Sequence, residues 1–445
     1  MASRPTLRDL LVLAWPVVIS RSTQTVVGLA DALMVAHLGE SALAATTAGA
    51  TNAFLVMILP MGTVFIVQSF ASQLMGRGDP QGARRYALYG LLIAIVTQLV
   101  AMISIPAIEP ALSVFAYEPE VRSAMAGYMA YRLLSTGPAI GLEALAAYYG
   151  GLGSTRIPMI ANVVAMIANV ALNWVLIDGR LGAPALGVDG AAIASAVSTT
   201  IAFLGLFAYF LAGGRLPRPS MHELRRTLRF GLPSGLNWFM EFAAFNVFVN
   251  VVVADLGTTS LAALMAVMQV NAVSFMPAFG VATAGAILVG QQIGKGDRDD
   301  VPRLVRTTFA TTATWQCLIG VAYLAVPALI FSPFAPDPAS REALMDVGVR
   351  MLALSAGWQL FDAAATVLGE SLRAAGDTVW PLVARVALAW IFFVPASWIG
   401  VHVLEGGDVV AIAALIVYFA LLALLLLLRF RHGRWRTLEL VEPTV

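Results

Sequence analysis

Charge is scarce in this sequence. Of its 445 residues only 12% are Asp, Glu, Lys or Arg, against roughly 25% in ordinary soluble domains. Basic and acidic residues nearly cancel, 27 against 26, for a net charge of +1. That balance supplies no basic face for nucleic acid, and disorder would need charge without apolar mass. The single cysteine, Cys317, excludes an internal disulfide, and four scattered histidines offer no metal-ligand cluster. No nucleotide-binding P-loop is present, so ATP is not the energy source. What the chain has in excess is apolar mass, 59% of its residues. A soluble fold this apolar would expose far too much oily surface, so its solvent is lipid.

A hydrocarbon core about 30 Å thick needs roughly 20 apolar residues per spanning helix. Twelve stretches qualify, near residues 10–38, 48–73, 86–107, 125–150, 157–178, 187–212, 231–255, 264–289, 307–331, 347–371, 379–401 and 408–429. The first is too long and too polar for a cleaved signal peptide, so the N-terminus is expected to be retained. Basic residues set the direction of the spans. Of the 27, three lie within spans (Arg21, Arg132, Arg385) and four in odd-numbered gaps (Arg122, Arg180, Arg341, Arg350). The rest flank the other side, including Arg84, Arg85, Arg215, Arg218, Arg225, Arg226, Arg229 and the C-terminal arginines. Both termini are therefore expected on the cytoplasmic side of a bacterial inner membrane.

The sequence also repeats itself. Leu38-Gly39-Glu40-Ser41 recurs 218 residues later as Leu256-Gly257-Thr258-Thr259, and Gln73-Leu74-Met75-Gly76-Arg77-Gly78-Asp79 as Gln291-Gln292-Ile293-Gly294-Lys295-Gly296-Asp297. Ser135-Thr136-Gly137 matches Ser355-Ala356-Gly357 at a shift of 220. Six spans per half is an even number, so the halves are parallel repeats related by a pseudo-two-fold axis along the membrane normal. The expected organisation is all-α: a six-helix lobe over 1–213, a cytoplasmic linker over 214–230, a second six-helix lobe over 231–431, and a cytoplasmic tail over 432–445. The linker reads as a basic amphipathic stretch lying on the cytoplasmic surface. Two lobes with a cleft between them is a transporter architecture. The repeated Gly-Asp turns have a plainer use, with Gly78 ending one helix and Asp79-Pro80 capping the next.

An ionisable group inside a span costs about 2.5–3.5 kcal/mol on insertion scales, so each is a functional candidate by default. Asp31 lies eight residues before Gly39, about 12 Å below the outer surface at 1.5 Å per residue. Asn169 and Asn173 of span 5 and Ser195 of span 6 fall in the same layer, at about 9–15 Å. A carboxylate ringed by oxygen donors suits a hard monovalent cation or a proton. The bland reading of the asparagines is interhelical hydrogen-bond glue. Glu241 of span 7 and Asp362 of span 10 both lie about 15–17 Å deep. If unpaired they repel, so one holds a proton or a cation lies between them; alternatively Arg385 pairs with Asp362 in a structural role. Glu143 has Tyr148 and Tyr149 as partners on its own helix, and Glu370, within a turn of the interface, reads as solvated. Arg21 and Arg132 are counter-ions or snorkel.

The chain resembles the multidrug and toxic compound extrusion (MATE) family, in its NorM-like branch. Twelve spans, the six-plus-six repeat and the Asp31-Ala32-Leu33-Met34-Val35-Ala36-His37-Leu38-Gly39 stretch carry the likeness, with Gly376-Asp377-Thr378-Val379-Trp380-Pro381 before span 11. Gly153-Ser154-Thr155-Arg156-Ile157-Pro158 is the counterpart before span 5, with Ser154 in place of the usual Asp. The resemblance places the family's coupling acids at Asp31, Glu241 and Asp362, and its polar helix 5 and 6 positions at Asn169, Asn173 and Ser195. Some relatives carry an acid where Asn173 stands and Thr where Ser195 stands. Acids on helices 7 and 10 favour the NorM-like over the DinF-like branch.

The function so implied is a secondary antiporter, not an enzyme, with no cofactor. It exports organic, mostly cationic drugs or toxic compounds in exchange for H⁺, or for Na⁺ held at Asp31 or at Glu241 and Asp362. The bilayer and a small organic cation are its partners, and a monomer is expected. Trp238, Phe242, Phe245, Trp358 and Phe361 flank the acids and are candidates to stack on flat cations. A lipid-linked oligosaccharide flippase of the same superfamily would want a strongly cationic cavity, and only Arg21, Arg132 and Arg385 are available. A membrane-embedded prenyl-phosphate enzyme would need paired acids at an interface near Mg²⁺, and only Asp299-Asp300 pair, in a charge-balanced turn.

Overall fold

The computed structural model describes residues 4–115, 117–335 and 341–442, so the outermost residues of the first lobe and of the tail lie outside the described residues. Every regular element among them is a helix. We label the spans α1 (Leu7–Leu38), α2 (Glu40–Arg77), α3 (Pro80–Leu112), α4 (Pro119–Leu134 with Thr136–Gly151), α5 (Arg156–Leu176) and α6 (Gly187–Ala212). They continue as α7 (Met221–Leu256), α8 (Thr258–Gly294), α9 (Val301–Ala325), α10 (Arg341–Ala374), α11 (Val379–His402) and α12 (Gly407–His432). Among the described residues ten of these are long and apolar enough to cross a membrane as single helices, or 11 if α9 is joined to the bent segment after it.

The remaining span is α4, which the sequence pattern draws as continuous and the structure breaks at Ser135. Pro138 has no N–H to give and crowds the turn before it, and the freed groups find one partner. Gln98 of α3 accepts from Gly137 N (2.7 Å) and donates to Leu133 O (3.2 Å), clamping both sides of the break. That satisfaction is what lets an interrupted helix persist in lipid. The repeat-related α10 has Trp358 where Pro138 would fall and runs unbroken for 34 residues. Two further boundaries differ from expectation. The α9 span ends at Ala325, and the chain turns by 93° into Pro327–Phe334, so the last residues of the 307–331 stretch leave the helix axis. The basic stretch before span 7 is not a separate surface segment: its helix starts at Met221 and continues directly into the span.

The chain divides into two compact units, Ile19–Gly235 and Met1–Val18 with Leu236–Val445, and the division falls inside α1 and α7. Within the first, α2 and the early part of α7 cross so closely that a Cβ on Gly62 would stand 2.8 Å from Gly235 Cα, the small-residue contact that substitutes for a hydrophobic drive in lipid. The Gly-Asp turn works as its sequence suggests. Gly78 takes φ +81°, Asp79 accepts from Gly82 N (2.7 Å), and Pro80 opens α3. Each unit also ties its first helix to its fifth. His37 Nε2 lies 2.9 Å from Asp178 Oδ1, and Asp255 Oδ2 lies 3.0 Å from His402 Nε2. The shift of 218 takes His37 onto Asp255, so the tie recurs with its two residue types exchanged.

Candidate functional site

In the unit Ile19–Gly235, α1, α5 and α6 each deliver polar side chains to one point. Asp31, Asn169, Asn173 and Ser195 are all buried. Asn173 Nδ2 donates to Asp31 Oδ1 (2.5 Å) and to Asn169 Oδ1 (3.3 Å). Asn169 Nδ2 donates to Ser195 Oγ (3.0 Å), whose hydroxyl donates to Asp31 Oδ2 (2.8 Å). The two asparagines face one way because they are i,i+4 on α5. Each Asp31 oxygen thus accepts one bond from a neutral donor, although an ionised carboxylate has room for about four. Among the described residues it makes no ion pair; Arg132 acts on it only through space. Asn173 Oδ1 is buried and accepts nothing. The cluster therefore ends in oxygen acceptors without donors, which is what a small cation or a proton completes.

In the other unit, α7 and α11 pack directly. Phe248 and Phe393 stand 4.9 Å apart, within facing π-helical segments Phe248–Val253 and Leu388–Phe393, and Trp390 Nε1 donates to Met240 O (3.3 Å). That packing brings Arg385 Nη1 onto Glu241 Oε2, and Tyr418 OH approaches Glu241 Oε1 at 3.5 Å. Two expectations are corrected here. Glu241 is paired, and the partner of Arg385 is Glu241 rather than Asp362, because α11 lies against α7 at this level. Asp362 has Thr366 Oγ1, one turn along α10, at 3.5 Å.

Glu241, Asp362 and Arg385 share a cavity of about 330 Å³. Its other polar lining is Asn271 and Ser274 of α8, Gln316 of α9, and Gln359 and Thr366 of α10. Gln359 Nε2 donates to Asn271 Oδ1 (2.6 Å), and Asn271 Nδ2 donates to Val267 O (2.9 Å). The Gln316 amide is buried with neither its nitrogen nor its oxygen bonded. Of the aromatic candidates, Phe245 and Trp358 line the cavity. Trp238 packs edge-on against Phe279, Phe242 lies off the cavity wall, and Phe361 is exposed. Sequence reasoning misses Phe275, Phe419 and the three amides. The signal for the amides was there, since an Asn or Gln within a span is as unusual on α8 or α9 as on α5.

Four other acids singled out by the sequence are neutralised locally. Arg21 holds Glu143 in a two-pronged pair at 2.6 and 3.2 Å. Glu370 is not solvated: it is 7% exposed and bonded to Arg373 three residues on, where the two side chains meet on one helical face. At the turn before α9, Asp300 is bound by Arg303 at 2.6 and 2.8 Å, which holds its carboxyl below the usual carboxylate range, and Asp299 meets Arg436 at 2.5 Å. Among the described residues no group of three or more His, Cys, Asp or Glu side chains is placed to hold a metal ion.

Comparison with known proteins gives one consistent answer. The MatE family model matches residues 16–175 and 233–399. A probable multidrug resistance protein NorM from Pseudomonas putida is 29% identical over 415 residues, covering 91% of this chain and 89% of that protein. Its counterpart from Thermotoga maritima is 24% identical over 437 residues, covering 96% and 93%. Among solved structures, MATE in the bent conformation superposes with a TM-score of 0.87 at 19% identity, over 97% of this chain and 96% of that one. An outward-facing multidrug resistance MATE family transporter of the MOP superfamily gives 0.88 at 18%, over 96% of each. Identities this low carry the fold.

Proposed function

The chain belongs to the MatE family, the multidrug and toxic compound extrusion transporters, and from that premise we propose that it exports organic cations in exchange for H⁺ or Na⁺. One observation carries the coupling: Asp31 is buried, bonded only to neutral donors, and set beside the unbonded Asn173 Oδ1. A carboxylate so placed is expensive to keep unless a positive ion visits it. The arginine distribution supports cytoplasmic termini, so the ion enters toward Asp31 from outside and leaves inward. The cavity beside Asp362 and the Glu241–Arg385 pair suits the substrate, with Trp358 and Phe245 as stacking faces for a flat cation. Coupling then runs through conformation, with the ion-loaded and ion-free states of Asp31 favouring different arrangements of the helices that bind the substrate. The names of the NorM relatives support a drug-like substrate.

The test is efflux of a fluorescent organic cation from proteoliposomes, driven in turn by a pH gradient and by a sodium gradient. One gradient is expected to drive flux, and Asp31→Asn to lower it by about tenfold or more, the scale of losing one transition-dependent charge contact. Undiminished flux in Asp31→Asn, and equally in Glu241→Gln and Asp362→Asn, would overturn the assignment of coupling roles.

A further inference from the structure

Between α6 and α7 the chain runs as an irregular strap over Arg215–Pro219, and it is pinned at both ends. Arg84, buried on α3, donates to Phe210 O (2.6 Å) and Gly214 O (2.9 Å) and lies over the Phe210 ring. At the far end Tyr89 OH accepts from Ser220 N (2.7 Å) and donates to Glu223 Oε2 (2.7 Å), while Arg85 grips the same carboxylate. Held this way, the strap sets Leu216 and Pro219 against α3 as one end of a groove of about 520 Å³. Ile95, Pro138, Phe203 and Phe207 continue it along α3, α4 and α6. Its one polar side chain, Gln98, has both its amide nitrogen and its amide oxygen bonded in clamping the α4 break. The groove is otherwise apolar, and Leu92, Ile95 and Leu99 along it are exposed.

The strap that closes this groove carries Arg215 and Arg218, immediately beside the two lining residues. Both are exposed, and neither has an ion-pair partner among the described residues. An apolar groove closed by a strap that carries two exposed arginines has the chemistry that suits an acyl chain ending in a phosphate. Arginine forks match phosphate oxygens bidentately, and basic pockets between spanning helices recognise acidic head groups. We propose that the groove holds an acyl chain of an anionic phospholipid whose phosphate is taken by Arg215 and Arg218. This binding is independent of the transport reading, since none of its residues touches Asp31, Glu241 or Asp362.

Native mass spectrometry of the full chain in detergent, with equal phosphatidylglycerol and phosphatidylcholine of matched chains, tests it. The chain is expected to retain phosphatidylglycerol over phosphatidylcholine by at least about fivefold, the order expected from one interfacial arginine. The Arg215→Gln/Arg218→Gln variant should bring the ratio close to one. Arg225→Gln, basic and exposed but off the strap, should keep the preference, and Ile95→Trp, which fills the channel, should reduce retention of both lipids. All four substituted positions are surface-facing, and a melting curve confirms that each variant folds. Equal retention by the unaltered chain, a preference that survives loss of both arginines, loss in Arg225→Gln, unaltered retention in Ile95→Trp, or a second protein copy seated on the groove each overturns the proposal.

Discussion

The two units solve the same problem, a carboxylate deep in oil, in opposite ways. Around Asp31 the protein supplies only neutral donors, two amides and a hydroxyl, and leaves oxygens over. Around Glu241 it supplies a resident cation, Arg385, and a tyrosine, and places a second acid, Asp362, on the wall of the same cavity. The first arrangement is incomplete without a visitor. The second is internally balanced at Glu241, which leaves Asp362 with a hydroxyl at 3.5 Å. An acid with its own arginine is chiefly architecture, whereas a buried one held by neutral donors alone is chemistry in waiting.

The sharpest way to break that distinction is Arg385→Gln. It strands two carboxylates in one cavity, and removal of one member of a buried pair typically costs about 3–5 kcal/mol. Because Glu241 retains 33% side-chain exposure, the lower end, about 3 kcal/mol, is expected. The readout is thermal unfolding in detergent, and adding Glu241→Gln should recover most of the loss. No loss, or no recovery in the double variant, would show that Arg385 does not neutralise Glu241. A smaller effect is expected from Ser195→Ala, which takes a donor from Asp31 Oδ2 and an acceptor from Asn169 at once. Its cost should be about 2 kcal/mol by the same measurement, as for a buried hydrogen bond to a charged group. An unchanged melting temperature would mean that the network is looser than its distances imply.

The contrast between the units also separates what the sequence discloses from what it does not. The neighbourhood of Asp31 is legible because each of its members rides on an uninterrupted helix, so residue counts convert directly into depth. Around Glu241 depth was equally readable, but depth does not say which helix lies beside which. Arg385 meets Glu241 because Phe248 and Phe393 pack across π-helical turns, and those turns have no sequence signature of the strength of a proline. The break in α4 had its signal in Pro138, yet only the structure shows Gln98 closing the gap. Glu370 differs for another reason. Its nearness to the interface suggests water as its partner, whereas its i,i+3 spacing to Arg373 puts a cation on the same helical face.

The smallest expected effect is the most discriminating: Asp31→Asn should leave stability within about 1 kcal/mol of the unaltered chain, the net worth of one ordinary hydrogen bond. The new amide oxygen faces Asn173 Nδ2 as Asp31 Oδ1 does now. The new amide nitrogen faces Ser195 Oγ, which accepts from Asn169 Nδ2 already and has a second lone pair. The hydroxyl proton gives up its acceptor, the one bond lost, and the buried charge disappears. No arginine is orphaned, since among the described residues no ion pair holds Asp31 to begin with. The same exchange at Glu241 alone leaves Arg385 without its carboxylate partner, so its melting temperature should fall where that of Asp31→Asn does not. If Asp31→Asn instead unfolded the protein as readily as Arg385→Gln, the carboxylate would be holding the helices together, and its retention in the membrane would need no visiting ion to explain it.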